Sequence, residues 1–180
     1  ALFQMGGYAA ASDAIGVSLI PMIANVLLTF VAIRLVDRVG RRPMWIGTSL
    51  AMCICLTLMG LVFHLGIRGP LVIVMTLMII APHAIGLGPL PWLMMSEIYP
   101  TRIRARAVSI STTIVWVSAF TSIFTFPILR DASEKAIGSP AGLFWTYAVI
   151  CILSLVFGLK VLPETKGRSL EAIAKSWIKH

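Results

Sequence analysis

Charge is scarce in this chain, and acid is scarcer than base. Of 180 residues 12% are charged, with 7 Asp and Glu against 15 Lys and Arg and a net charge of +8. A typical soluble domain carries about 25%. With 58% hydrophobic residues and a mean hydropathy of +0.94, the composition argues against a soluble globular protein. It also excludes intrinsic disorder, which needs low hydrophobicity and high charge. Three cysteines are too few to staple a disulfide scaffold. The chain opens at Ala1 without a basic, apolar and small-residue leader, so it reads as a piece of something longer. What remains is an integral membrane protein.

A membrane-spanning helix needs about 20 mostly apolar residues. Cutting the sequence at its charges leaves five such runs, expected as helices over roughly residues 14–36, 43–64, 70–96, 105–129 and 141–162. Continuous apolar runs suit helices, whereas the strands of a membrane barrel alternate in polarity. Residues 1–163 therefore form the membrane part. The tail, 164–180, is expected on the cytoplasmic side. In it Leu170, Ile173, Ala174, Trp177 and Ile178 recur at the spacing of an amphipathic helix lying on the membrane or under the bundle.

Five spans put the chain ends on opposite sides. Of the 15 basic residues, only Arg68, Arg130 and Lys135 fall on one side, so the other side should be cytoplasmic and hold the C-terminus. The same distribution disposes of nucleic acid as a partner, because the basic residues sit in short loops at helix ends, as membrane topology demands. Membrane lipid is the expected surrounding. Nothing suggests a cofactor, metal or enzyme. Cys53 and Cys55 are two apart on one helix and point apart, Cys151 is on another span, and no glycine-rich phosphate loop follows a strand.

Three stretches carry chemistry. Asp37-Arg38-Val39-Gly40-Arg41-Arg42-Pro43 packs charge into a reversal between two spans. Its arginines either pair with carboxylates of neighbouring helices or only enforce topology. Gly86-Leu87-Gly88-Pro89-Leu90-Pro91-Trp92 lies inside the third span, where two prolines and two glycines break a regular helix. Such a break either lines a cavity or is a packing kink. Glu97 follows, with Arg102, Arg104 and Arg106 before the next span. An anion at the membrane edge needs a partner, either Arg104 or the Asp37–Arg42 loop. Pro163-Glu164-Thr165-Lys166-Gly167 then closes the last span, again with one acid among bases.

Taken in order, the Asp37–Pro43 motif, Gly88-Pro89-Leu90-Pro91-Trp92 running into Ser96-Glu97-Ile98-Tyr99-Pro100 and Arg104, and Pro163-Glu164-Thr165-Lys166-Gly167 resemble the sugar porter family of the major facilitator superfamily. The likeness is to that family's C-terminal lobe, from the end of the seventh helix through the twelfth. It implies an all-α fold of about five transmembrane helices plus a C-terminal amphipathic helix, with the N-terminal lobe and most of the seventh helix absent.

The resemblance implies transport of sugars or related polyols by alternating access, as a facilitator or as a proton symporter. The alternatives are a major facilitator transporter of a different small solute, or a non-transporting fragment or sugar sensor. The plasma (cell inner) membrane is the expected location. Partners are the sugar or polyol, the missing N-terminal lobe and, in a symporter, protons. By position, Asn25, His83, Gly88, Trp92 and Trp116 match the substrate site. Asp37, Arg38, Arg41, Arg42, Glu97, Arg104 and Glu164 match a cytoplasmic gating network. Val115 and Ala119 stand where relatives carry amides, and His83 where an aromatic is common. On the residues alone, Asn25 reads as a helix–helix hydrogen bonder, and His83 as a buried neutral histidine bonded to a neighbour.

Overall fold

The computed structural model describes residues 11–168, with side chains from residue 19 onward. The expected amphipathic helix at Leu170–Ile178 lies outside the described residues. Those described are helical: α1 (Ala11–Val39), α2 (Arg41–His64), α3 (Pro70–Pro82), a π-helical turn (His83–Leu87), α4 (Pro89–Ile98), α5 (Arg104–Ile137) and α6 (Ala141–Lys160). The third span runs from α3 through the turn into α4. Five segments are long and apolar enough to cross a membrane: Leu19–Val39, Arg41–His64, Pro70–Ile98, Arg104–Ile137 and Ala141–Lys160.

The helices alternate in direction, so the bundle has a basic end and a far end. At the far end α5 runs past Leu129, where charge first interrupts the apolar run. Its 34 residues at about 1.5 Å each exceed the hydrocarbon thickness of about 30 Å. The extra turns carry their own ion pairs, Arg130 with Asp131 at 2.7 Å and with Glu134 at 3.9 Å. Ser133 then fastens the hairpin: its hydroxyl donates to the Ser139 carbonyl at 2.6 Å and accepts from the Gly142 N–H at 2.8 Å.

The most extensive packing joins α2 and α6, which lie antiparallel. In lipid, close approach and interhelical hydrogen bonds drive helix association, and this pair uses both. Ser49 and Ser154 share a hydrogen bond at 3.1 Å, and the Trp45 indole donates to the Ser154 carbonyl at 3.1 Å. At each end an indole lies over a glycine, Trp45 over Gly158 and Trp145 over Gly60, leaving no room for a Cβ. Toward the far end Met59, Val62, Phe63, Val72, Leu143 and Phe144 form the core, with the Phe63 and Phe144 rings stacked 5.2 Å apart. By contrast α5 buries only Ser133 among its described residues and turns Ile114, Phe120, Ile123 and Phe124 outward. An apolar face of that extent meets lipid or further helices, not water.

Candidate functional site

At the basic end, one residue separates α1 from α2. Gly40 has φ +103°, a conformation L side chains rarely adopt. A Cβ there would also lie 2.7 Å from a Glu164 carboxylate oxygen. That carboxylate comes from the far side of the sequence and caps α2. It accepts from the backbone N–H of Arg41 at 3.1 Å, of Arg42 at 3.2 Å and of Lys166 at 2.8 Å. Gly40 has no side chain with which to cap the helix, so Glu164 satisfies two of its orphan donors and meets the positive end of its dipole. Burial pushes the Glu164 carboxyl up, but the backbone donors of Lys166, Arg41, Arg42 and Thr165 outweigh it and hold the group below the ordinary glutamate range.

Arg42 returns the exchange. Its guanidinium donates to the carbonyls of Gly158 at 3.2 Å and Leu159 at 2.6 Å, placing a cation on the negative end of α6. Arg41 reaches the other way, to Glu97 at 2.9 Å and to Asp37 at 3.4 Å. Side-chain exposure is 14% for Arg41 and 19% for Glu97, but 76% for Asp37, so the Arg41–Glu97 pair is the desolvated one. The other Glu97 oxygen accepts from the Thr165 hydroxyl. The Lys166 ammonium donates to the Arg38 carbonyl.

Of the two partners expected for Glu97, the loop arginine is therefore the one it meets. Arg104 instead donates through Nε to the Tyr99 carbonyl at 3.1 Å. Among the described residues Arg104 Nη2 and Arg41 Nε are buried without a partner. The Arg38 guanidinium likewise makes no bond among them. The sequence reading missed Thr165 and Lys166, although both stand beside Glu164 in the same short motif. It also missed the Gly158 and Leu159 carbonyls, which no side-chain pattern announces.

A mostly apolar cleft of about 310 Å³ climbs from Asp37 and Arg41 between α1, α2, the π-helical turn and α4. The turn closes through the Gly88 N–H, which donates to the His83 carbonyl at 2.7 Å, five residues back. That spacing matters. In a regular α-helix at about 100° per residue, residues 83 and 92 would stand about half a turn apart. The extra residue of the turn brings His83 over Gly88, and Gly88 lies one helical turn from Trp92. Contact confirms the first step: a Cβ on Gly88 would meet the His83 carbonyl at 3.0 Å and its ring at 3.4 Å. Trp92 in turn meets Trp116 of α5, ring centroids 6.5 Å apart and planes at 50°. His83 against Gly88 and Trp92 against Trp116 are thus two contacts about one helical turn apart, and together they form a strip.

Two expectations need correction. His83 is exposed, and its imidazole makes no hydrogen bond among the described residues; only its backbone carbonyl is engaged in the turn. Asn25 bonds no other helix among them either. It borders an open surface depression on α1 with Val26, Thr29, Phe30 and Ile33; its backbone carbonyl accepts from the Thr29 hydroxyl at 2.8 Å, and its side chain makes no hydrogen bond among the described residues. The structure brings the two tryptophans together but does not bring Asn25 into contact with them.

Comparison with known proteins agrees with this architecture. Over 95% of the chain the fold superposes on the major facilitator superfamily proton:xylose symporter XylE bound to 6-bromo-6-deoxy-D-glucose, with TM-score 0.86 and 31% identity, covering 36% of that chain. The fold class is thus the helical C-terminal lobe of a major facilitator transporter. The family described as "Sugar (and other) transporter" matches residues 2–177, and the chain belongs to that family of membrane transporters. It is 34% identical over 179 residues to an arabinose-proton symporter of Bacillus subtilis, covering 99% of this chain and 37% of the relative. It is 36% identical over 179 residues to the facilitated trehalose transporter Tret1 of Bombyx mori, covering 96% of this chain and 34% of the relative. The chain therefore spans about a third of the length of these relatives.

Proposed function

We propose that this chain is the substrate-holding lobe of a transporter that moves a sugar or related polyol across a membrane by alternating access. The observation that carries the reading is the strip His83–Gly88–Trp92–Trp116. An indole face suits the C–H face of a pyranose, and the exposed imidazole of His83, which packs over Gly88, offers a donor and an acceptor to hydroxyls. Asn25 stands on a different helix, where it would meet the substrate only when a second lobe closes the site.

Rocking requires that second lobe, and the basic end supplies the latch. Arg41, Arg42, Glu97 and Glu164 hold the helix ends at the cytoplasmic face, with Asp37 at the edge of the cluster and the guanidinium groups of Arg38 and Arg104 supplying charge that an acid of the other lobe would meet. The lobe sits in the plasma (cell inner) membrane with its C-terminus in the cytoplasm. Sugar–proton symporters and a facilitated sugar transporter both stand among the relatives, so either energetic mode fits.

The test is uptake of labelled solutes into liposomes by this lobe together with its partner lobe. Saturable, stereoselective sugar uptake is expected. Trp92→Ala should lower it about tenfold or more, the loss of about 1.4 kcal/mol of stacking. Transport of organic acids with no sugar uptake would overturn the proposal.

A further inference from the structure

The three cysteines play no part in the strip or the latch, and all are free thiols. In sequence they fall on two spans with nothing to relate them. The α2–α6 register does relate two of them. Three fixed points define that antiparallel register: Trp45 over Gly158, Ser49 bonded to Ser154, and Trp145 over Gly60. Cys53 lies one helical turn beyond Ser49, and Cys151 about one turn before Ser154, each on the face its serine presents to the other helix. Moving along the register from the serine pair toward the Gly60–Trp145 pair therefore sets Cys53 opposite Cys151.

Both thiols are half-buried, whereas Cys55, two residues off that face, is buried. Both also stand near the middle of their helices, Arg41–His64 and Ala141–Lys160, and so near mid-bilayer. A neutral thiol tolerates hydrocarbon where a carboxylate or imidazolium would not. Access is then restricted to reagents that dissolve in lipid.

We propose that Cys53 and Cys151 form a dithiol site, open to the hydrocarbon, for one soft thiophilic centre such as a trivalent arsenical. Sulfur selects soft acceptors of this kind. The reaction needs no oxidant: two S–H bonds break, two As–S bonds form, and the two protons leave with the oxide oxygen as water. The product clamps α2 to α6 at mid-membrane, between the serine pair and the Gly60–Trp145 contact.

The experiment treats the reconstituted protein in liposomes with phenylarsine oxide and then washes it with a monothiol or with a dithiol. One phenylarsenic adduct per chain is expected by intact mass, with titratable thiols falling from three to one. The adduct should survive the monothiol and be removed by the dithiol. Losing either sulfur removes the chelate advantage, so Cys53→Ser and Cys151→Ser should each cut the adduct surviving monothiol by about tenfold or more. Cys55→Ser should leave it unchanged. Thermal unfolding of each variant separates site loss from misfolding, and Cys53→Ala replaces any serine variant that unfolds early. An adduct that monothiol strips from the native chain would overturn the proposal. So would one that persists in a folded variant lacking Cys53 or Cys151, or one that depends on Cys55.

Discussion

Replacing Glu164 probes the cap on α2 most directly. The side chain accepts two backbone N–H bonds at the first turn of a 24-residue helix, at 3.1 and 3.2 Å. Losing a helix cap costs about 0.5–2 kcal/mol, and losing a negative charge at a helix N-terminus costs about 0.3–1 kcal/mol more. The group is partly solvated, so screening places the expected loss for Glu164→Ala at about 1–2 kcal/mol. For a chain of this size that lowers the unfolding midpoint by about 2–8 °C. Glu164→Gln keeps one acceptor oxygen and should lose about half as much. The assay is thermal unfolding in detergent, read by a thiol-reactive dye that reports exposure of the cysteines. Acid titration supplies a second reading. Because the folded carboxyl is held below the ordinary glutamate range, its contribution is complete above the unfolded pKa and is lost as pH falls through the lower, folded one. The gap between native protein and Glu164→Gln should therefore persist through mild acid and close only below the ordinary range. Equal midpoints for all three proteins, or a gap that closes already in mild acid, would refute the cap.

Two further outcomes follow from the packing. Gly60→Ala drives a Cβ into the Trp145 indole and should cost about 1–3 kcal/mol by overpacking, measured by the same unfolding assay. Adding Trp145→Leu should recover most of that loss. Arg41→Met strands Glu97 at 19% exposure and should destabilise the basic end by about 2–3 kcal/mol. The double variant Arg41→Met/Glu97→Met should lose much less than the sum of the singles, because a lone buried charge costs more than none. A double-mutant cycle with no coupling would count against the pair.

The membrane character, the five spans and the basic end were legible because each rests on a local rule. Apolar run length, loop charge and helix-breaking residues all act over a few neighbours. The charged cluster at the basic end was half legible. Motif order marked Glu97 and Glu164 as acids in need of partners. It could not choose Arg41 over Arg104 for Glu97, because that choice depends on which helix end folds nearest. Nor could it show that Glu164 serves backbone donors rather than a guanidinium. The strip of His83, Gly88, Trp92 and Trp116 was legible residue by residue but not as a surface: counted along a regular helix, His83 and Trp92 face opposite ways.

The sequence by itself determined that this chain is a bundle of apolar helices with charged residues confined to their ends, because hydrocarbon tolerates little else. Only the tertiary structure decided who meets whom. One extra residue in the π-helical turn narrows the offset between His83 and Trp92 from about half a turn to about a quarter. One antiparallel register sets Ser49 against Ser154 and Cys53 opposite Cys151. One tail returning to the start of α2 turns Glu164 from an isolated acid into a helix cap. Each is a non-local meeting, fixed by how closely backbones approach at small residues and by which polar groups would otherwise be left unpaired.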